Sequence, residues 1–285
     1  KPLRVVIKRM TDANRLIEDF MLLANVRVSR FLANPKRKDG GPEEASRTAV
    51  YRIHDRPDPE RLSQLRTFVA KFGLDMPKIS PENGESALRN LLQAAGGNTA
   101  ENVIKTMAIR SMAKAEYSTQ NIGHYGLAFP YYTHFTSPIR RYPDVMVHRL
   151  VQHYLDGAAS PEPASFMVMC QHAGNMEKRA AEAERASIKY KQVEFLMTRL
   201  GETFYGIVNG VVPKGLFVEI EENKCEGFVP KDDLPHDQYV FDEDRQALVG
   251  ARKGRSYAMG DRIAIRVVSA DLAKRQLNFD IPEVG

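Results

Sequence analysis

The sequence predicts an α+β chain in two parts, a mostly helical stretch over residues 1–199 and a small five-stranded β-barrel over residues 200–285. Two observations carry this. Up to about residue 200, apolar side chains recur at three- and four-residue steps, the period of helices with one buried face. From Gly201 the period changes to two, and glycines fall at the bends between short alternating runs.

In chain order, residues 1–8 (KPLRVVIK) read as a strand entered midway. The first helix starts after Thr11 and Asp12, either of which can cap it, and runs through LIEDFMLLANVRVSRFL; Leu16, Ile17, Phe20, Leu23 and Val26 form the face assigned to the core. Residues 34–46 are a polar loop with Gly and Pro. Residues 51–54 read as a short strand, and RPDP at 56–59 delivers a helix over 60–72. Over 98–117 the helical pattern is cleanest: Asn98 can cap with Glu101 three residues on, and Val103, Ile104, Met107, Ala108, Met112 and Ala115 build the stripe. The methionines read as core filler. Residues 163–200 form a longer helical segment whose charges at Glu177, Lys178, Arg179, Glu182, Glu184 and Arg185 read mostly as a solvated face. After it, Phe204, Gly206 and Val208 alternate, residues 215–218 and 227–229 begin further strands, and Ile263, Ile265 and Val267 alternate before QLNFD at 276–280. Short strands with glycines at the bends suit a five-stranded OB barrel.

Residues 131–149, YYTHFTSPIRRYPDVMVHR, concentrate the chemistry. Thr136 and Ser137 offer hydroxyls, Pro138 stops any helix on its N-terminal side, and the backbone N–H groups of the next helix start favour an anion. Arg140 and Arg141 supply planar forks suited to phosphate oxygens, with Tyr142 beside them. The plainer alternative is an arginine-capped turn buried between helices.

This segment resembles the HFTSPIRRYPD signature of the RNase II/RNase R family of processive 3′-to-5′ exoribonucleases. The resemblance extends upstream through DANRLIEDFMLLAN (12–25), RIHDRPDPE (52–60), MAIRSMAKAEYS (107–118) and GHYGLAF (123–129), and the part from about Gly201 resembles an S1 RNA-binding domain. The resemblance implies the C-terminal part of an RNB catalytic domain over 1–199 and an S1 domain over 200–285. It implies single-stranded RNA as partner, Mg²⁺ as cofactor and release of 5′-mononucleotides. Arg140 matches the arginine that binds the scissile phosphate, and Glu184 a glutamate near the same centre, with Glu182 the fallback. His134, Thr136, Ser137, Arg141 and Tyr142 fall in the RNA-contacting signature, and Tyr51 is a possible base-stacking ring. In the barrel, Phe217 matches an RNA-facing aromatic, and Phe204 is either a second one or core. Lys214 and Pro230 stand where many S1 domains carry an aromatic and a histidine, which shifts the expectation from stacking towards phosphate contact. His54, His124 and His134 read as hydrogen-bonding residues that hold turns.

The family's metal-binding aspartate cluster, DxxxxxDxDD, does not occur in this sequence. Asp232-Asp233 and Asp242-Glu243-Asp244 read as solvated loop charge. The expectation is a C-terminal fragment, inactive alone, whose main metal ligands lie in the missing N-terminal part of the same protein, its natural partner. The alternative is a non-catalytic RNA-binding protein in which a degenerate nuclease domain serves as scaffold. Bulk properties agree with a polyanion binder: 285 residues, 41 Lys+Arg against 36 Asp+Glu, and a net charge of +5. Two cysteines, Cys170 and Cys225, argue against a disulfide scaffold or zinc knuckle. No run of 18 apolar residues and no secretory pattern occurs, so no membrane partner is expected and a cytoplasmic location is the default.

Overall fold

A computed structural model describes residues 2–6, 10–33, 47–77, 84–96, 101–235, 237–242, 246–252 and 255–282. The 34–46 loop, the Asn98 cap, the Val103 side chain, and Glu243 with Asp244 lie outside the described residues. The chain divides into two compact units, one made of Arg9–Ala94 and Met107–Ala180, the other of Lys1–Lys8, Ala95–Thr106 and Ala181–Gly285. Residues 2–6 form no strand, contrary to the sequence reading.

Helix α1 (Asp12–Ala33) is capped by Thr11, whose hydroxyl accepts from the Asn14 N–H at 3.4 Å while its own N–H donates to Asn14 Oδ1 at 3.1 Å. Its buried residues are Asn25, Ser29 and Leu32. The face expected in the core is the outer one: Leu16, Ile17, Phe20 and Leu23 are 56, 59, 60 and 51% exposed. Helical period identifies a stripe but not its partner, and here polar Asn25 is drawn inward by buried hydrogen bonds. Strand β1 (Tyr51–Ile53) leads to α2 (Pro59–Ala70), where Asp58 caps by accepting from the Glu60 N–H at 2.8 Å. Helix α3 (Gly84–Ala94) was not read from the sequence. Helix α4 (Glu101–Ser111) is shorter than expected, because the chain must turn to place β2 (Glu116–Ser118) against β1, Tyr51 opposite Ser118. Helices α5 (Tyr142–Leu155) and α6 (Pro163–Leu196) follow. The core next to the 131–149 segment joins Leu32, Val50, Tyr51, Tyr117, Met146, Val147, Leu150, Tyr154 and Cys170.

In the second unit, β3 (Thr203–Val212), β4 (Gly215–Ile220), β5 (Glu226–Pro230), β9 (Arg262–Asp271) and β10 (Gln276–Asp280) close a barrel in the order β10-β5-β4-β3-β9. Between β5 and β9 the chain makes an unpredicted three-stranded sheet of β6 (Tyr239–Asp242), β7 (Ala247–Gly250) and β8 (Ser256–Ala258). Alternation along the barrel strands sends Val208, Leu216, Val218, Ile220, Val229, Ile265 and Phe279 inward, each 0% exposed. Phe279 packs against Gly227, so a Cβ there would overlap its ring. With Phe279 fully buried the ring has nowhere to go. Gly227→Ala is therefore expected to destabilise the barrel by about 1–3 kcal/mol through overpacking, read as a lower urea midpoint in near-ultraviolet circular dichroism. An unchanged midpoint would show that the ring can retreat.

Candidate nucleic-acid interface

The signature turn is built around one carboxylate. Ser137 closes the turn, its carbonyl accepting from the N–H groups of Arg140 at 3.3 Å and Arg141 at 3.1 Å. Arg141 is the extended residue before α5, and Asp144 stands in the first turn of that helix, where the dipole favours an anion. Asp144 is 0% exposed, and its Oδ1 accepts from the Ser137 N–H at 2.7 Å and from Arg141 Nη2 at 2.8 Å. The two arginines therefore divide: Arg141 is held by a buried partner, whereas Arg140 is exposed, its Nη2 lying 3.5 Å from Ser137 Oγ. Tyr142 beside them is half exposed. Thr136 Oγ1 is buried without a partner among the described residues, so it does not present a surface hydroxyl.

Other elements clamp the same segment. Asn25 Oδ1 accepts from the Phe135 N–H at 3.0 Å, and its Nδ2 donates to the Tyr132 hydroxyl at 3.2 Å. Thr133 Oγ1 donates to the Val50 carbonyl at 2.6 Å, and the Arg52 N–H donates to the Tyr132 carbonyl at 2.9 Å. The His148 ring stacks on Phe135 at 4.0 Å with its Nε2 2.9 Å from the Phe135 carbonyl.

A second chain of contacts runs through His134. Glu177, expected on a solvated face, binds Arg52 with both oxygens, at 2.7 and 3.0 Å. The Arg52 guanidinium lies 4.5 Å over the Tyr117 ring, and the Tyr117 hydroxyl is 2.8 Å from His134 Nδ1. Burial, then the Arg141 and Arg52 charges, push His134 down to about 3. Burial and neighbouring His54 push His124 down to about 4. His54 itself is fixed: Nδ1 accepts from the Gly126 N–H and Nε2 faces the Ala113 carbonyl, both at 2.9 Å. His54 and His134 thus serve as hydrogen-bonding pieces, whereas His124 does not: its Nδ1 is buried with no partner among the described residues, and its ring stacks on His54 at 5.0 Å. Tyr51, expected to stack a base, is only 6% exposed in the core, and burial raises its hydroxyl to about 12; no ring face is open to RNA.

In the barrel unit, a groove of about 460 Å³ is lined by Lys189, Phe217, Glu226, Phe228, Arg275 and Asn278 among others. Phe217, 37% exposed, pairs with Phe228 at 5.1 Å between ring centroids. Lys189 comes from α6, donates to the Glu226 carbonyl, and is held below its ordinary pKa by burial. Phe204 is 9% exposed and points into the barrel, so the exposed ring on β3 is its neighbour Tyr205, at 56%. Lys214 is exposed at the β3–β4 turn. Glu182 and Glu184 are both exposed on α6. Sequence reading missed Phe228, Lys189, Glu226 and Arg275; the alternation of Phe228 with inward Val229 was the one available signal.

Because the unfolded chain would protonate both histidines near the ordinary value of about 6.5 while the fold holds His134 at about 3 and His124 at about 4, the unfolded state binds more protons between those values. Stability contributed by these rings is full above about pH 6.5 and is lost as pH falls through about 4 for His124 and about 3 for His134. Melting temperature should drop over that window, and His134→Gln should flatten the fall. An identical slope in the variant would mean that other groups govern it.

The family model described as RNB domain matches residues 1–157, and that described as S1 RNA binding domain matches residues 198–281. Ribonuclease R of Aquifex aeolicus is 37% identical over 95% of this chain and 37% of its own length. Ribonuclease R of Escherichia coli is 33% identical over 98% of this chain and 34% of its length. The chain thus spans little more than a third of these relatives. Among solved structures, the apo form of Mycoplasma genitalium RNase R aligns with a TM-score of 0.89 at 24% identity, over 99% of this chain and 43% of that one. A complex of the same protein with ribose methylated single-stranded RNA gives 0.88 at 24% identity, over 99% of this chain and 43% of that one. The RNB match over more than half of the residues, joined to the S1 match and the agreement of fold, shows that the chain belongs to the RNB family of ribonuclease R-type exoribonucleases.

Proposed function

We propose that this chain is the phosphate-gripping and RNA-holding C-terminal part of a 3′-to-5′ exoribonuclease that hydrolyses single-stranded RNA to 5′-mononucleotides with Mg²⁺. The carrying observation is the division of the arginine pair: Arg141 is bound to buried Asp144, which leaves Arg140 exposed on a turn fixed at both ends. A guanidinium held in this way binds a phosphate through two parallel N–H donors and gains strength as negative charge builds on the phosphate oxygens. Relatives named ribonuclease R support the reaction class, and the RNA complex of the Mycoplasma protein supports the substrate class. Glu184, exposed on α6, is proposed as the second catalytic side chain.

Among the described residues no group of three or more His, Cys, Asp or Glu could hold a metal ion. The described residues thus offer no such cluster for magnesium, and the steps assigned here are those of this chain's own side chains. In this proposal the ligands belong to the aspartate cluster of the intact protein. The chain alone should bind single-stranded RNA, with log affinity falling linearly against log salt at about 0.7 per phosphate contact. It should release no mononucleotides with Mg²⁺ added. Robust release by the pure chain would refute the division of labour, and salt-independent binding would refute the phosphate contacts.

In the intact enzyme, Arg140→Ala should slow single-turnover cleavage by about 10²–10³-fold while leaving affinity and melting temperature nearly unchanged. Arg140→Lys should recover only part of the rate, since the ammonium lacks the fork. Arg141→Ala should do the reverse, melting early because it strands the Asp144 carboxylate, a loss of about 3–5 kcal/mol for a broken buried pair. If both variants melt early and cleave normally per folded molecule, Arg140 is structural.

A further inference from the structure

We infer that the barrel groove reads the edge of one RNA base through Glu226, favouring guanine and disfavouring uracil. This rests on the reading that the barrel binds single-stranded RNA. In the β4–β5 pairing, Phe217 stands opposite Phe228 and Glu219 opposite Glu226. Alternation then places Phe217, Phe228 and Glu226 together on the outer face, while Gly227 and Val229 turn inward. The two rings offer a stacking surface, and Lys189 and Arg275 on the groove wall suit phosphate.

A carboxylate in such a groove is electrostatically unfavourable towards the RNA backbone. Glu219, the residue directly opposite on β4, is neutralised by Lys224 at 3.1 Å. Glu226 has the part-buried Lys189 ammonium nearby, bonded to its backbone carbonyl, while its carboxylate is oriented by a neutral group, Asn209 Nδ2, which donates to Oε2 at 2.7 Å. Each carboxylate oxygen carries two acceptor positions, so this bond aims the group without exhausting it. Beside a stacked base, a fixed acceptor of this kind accepts N–H donors of the base edge. Guanine presents two parallel donors, its ring N1–H and exocyclic amine, which match the two oxygens. Adenine and cytosine present one exocyclic amine each. Uracil presents only an N–H flanked by two carbonyl oxygens, which repel the carboxylate. Stacking alone would tolerate all four bases.

The test is fluorescence anisotropy of the chain with labelled RNA octamers: all-uridine, all-adenosine, all-cytidine, alternating uridine and guanosine, and alternating uridine and inosine, whose base lacks the 2-amino group. The uridine–guanosine octamer should bind about five- to tenfold more tightly than all-uridine, the lower range for a bidentate base contact. The inosine octamer should lose most of that gain. Glu226→Gln keeps an oxygen for Asn209 but replaces an acceptor by a donor, and should collapse the guanosine preference while all-uridine binding holds or improves. Phe217→Ala should weaken all five together. Equal affinity of the wild-type chain for all five would overturn the selectivity and leave RNA binding standing. Retention of the preference in Glu226→Gln would overturn the role of Glu226. Failure of every octamer to bind would remove the RNA-binding reading on which the inference depends.

Discussion

The buried carboxylate of Asp144 is the group on which the geometry of the signature turn depends. It lies in the first turn of α5, and it accepts both the Ser137 N–H and the Arg141 guanidinium on the same oxygen. A buried ion pair of this kind contributes little net stability over an apolar replacement, because desolvation consumes most of the Coulomb gain. What it supplies here is direction. With Arg141 drawn inward and the backbone of Ser137 tied to the helix, the intervening Pro138, Ile139 and Arg140 are forced outward, and Ile139 is wholly exposed as a result.

The same logic sets the electrostatics around the turn. Three arginines, Arg52, Arg140 and Arg141, belong to this unit close to the buried histidines, and two of them are matched by carboxylates, Arg52 by Glu177 and Arg141 by Asp144. Burial keeps His124 and His134 neutral, and the arginine charges push the same way. Protonated rings there would spread positive charge through the interior. Neutral rings leave the uncompensated charge of this group on Arg140, at the surface, where an anion can reach it.

What could be read from the sequence was local. The turn residues, the two arginines and the change of period at Gly201 are signals within a few residues, and the barrel strands follow from them. Long-range choices were not legible. The Asn25 contact to Phe135 spans 110 positions, and it decides that the polar side of α1 turns inward while Leu16 and Phe20 stay exposed. Glu177 looks like any helical surface charge until Arg52, 125 positions earlier, is brought against it. Tyr51 was misplaced and Phe204 left undecided because an aromatic ring suits a core and a stacking site equally, and only burial distinguishes them. The β6–β8 sheet was invisible because its strands are 3 or 4 residues long, too short for alternation to register.

The barrel groove faces a physical conflict that its composition resolves. A surface that holds RNA while the strand advances must bind the chain without binding any one register strongly. In the proposed RNA-binding role, exposed Arg275 and part-buried Lys189 would provide attraction that is nearly uniform along the backbone, and a tilted phenylalanine pair would accept each base face in turn. A fixed carboxylate breaks that uniformity. A five- to tenfold preference for one base corresponds to only about 1–1.4 kcal/mol, less than the roughly 1–3 kcal/mol of a single stacked base. Glu226 would therefore make the strand pause at guanines rather than stop there, because stepping on exchanges one stacked base for another and costs only the small preference between them.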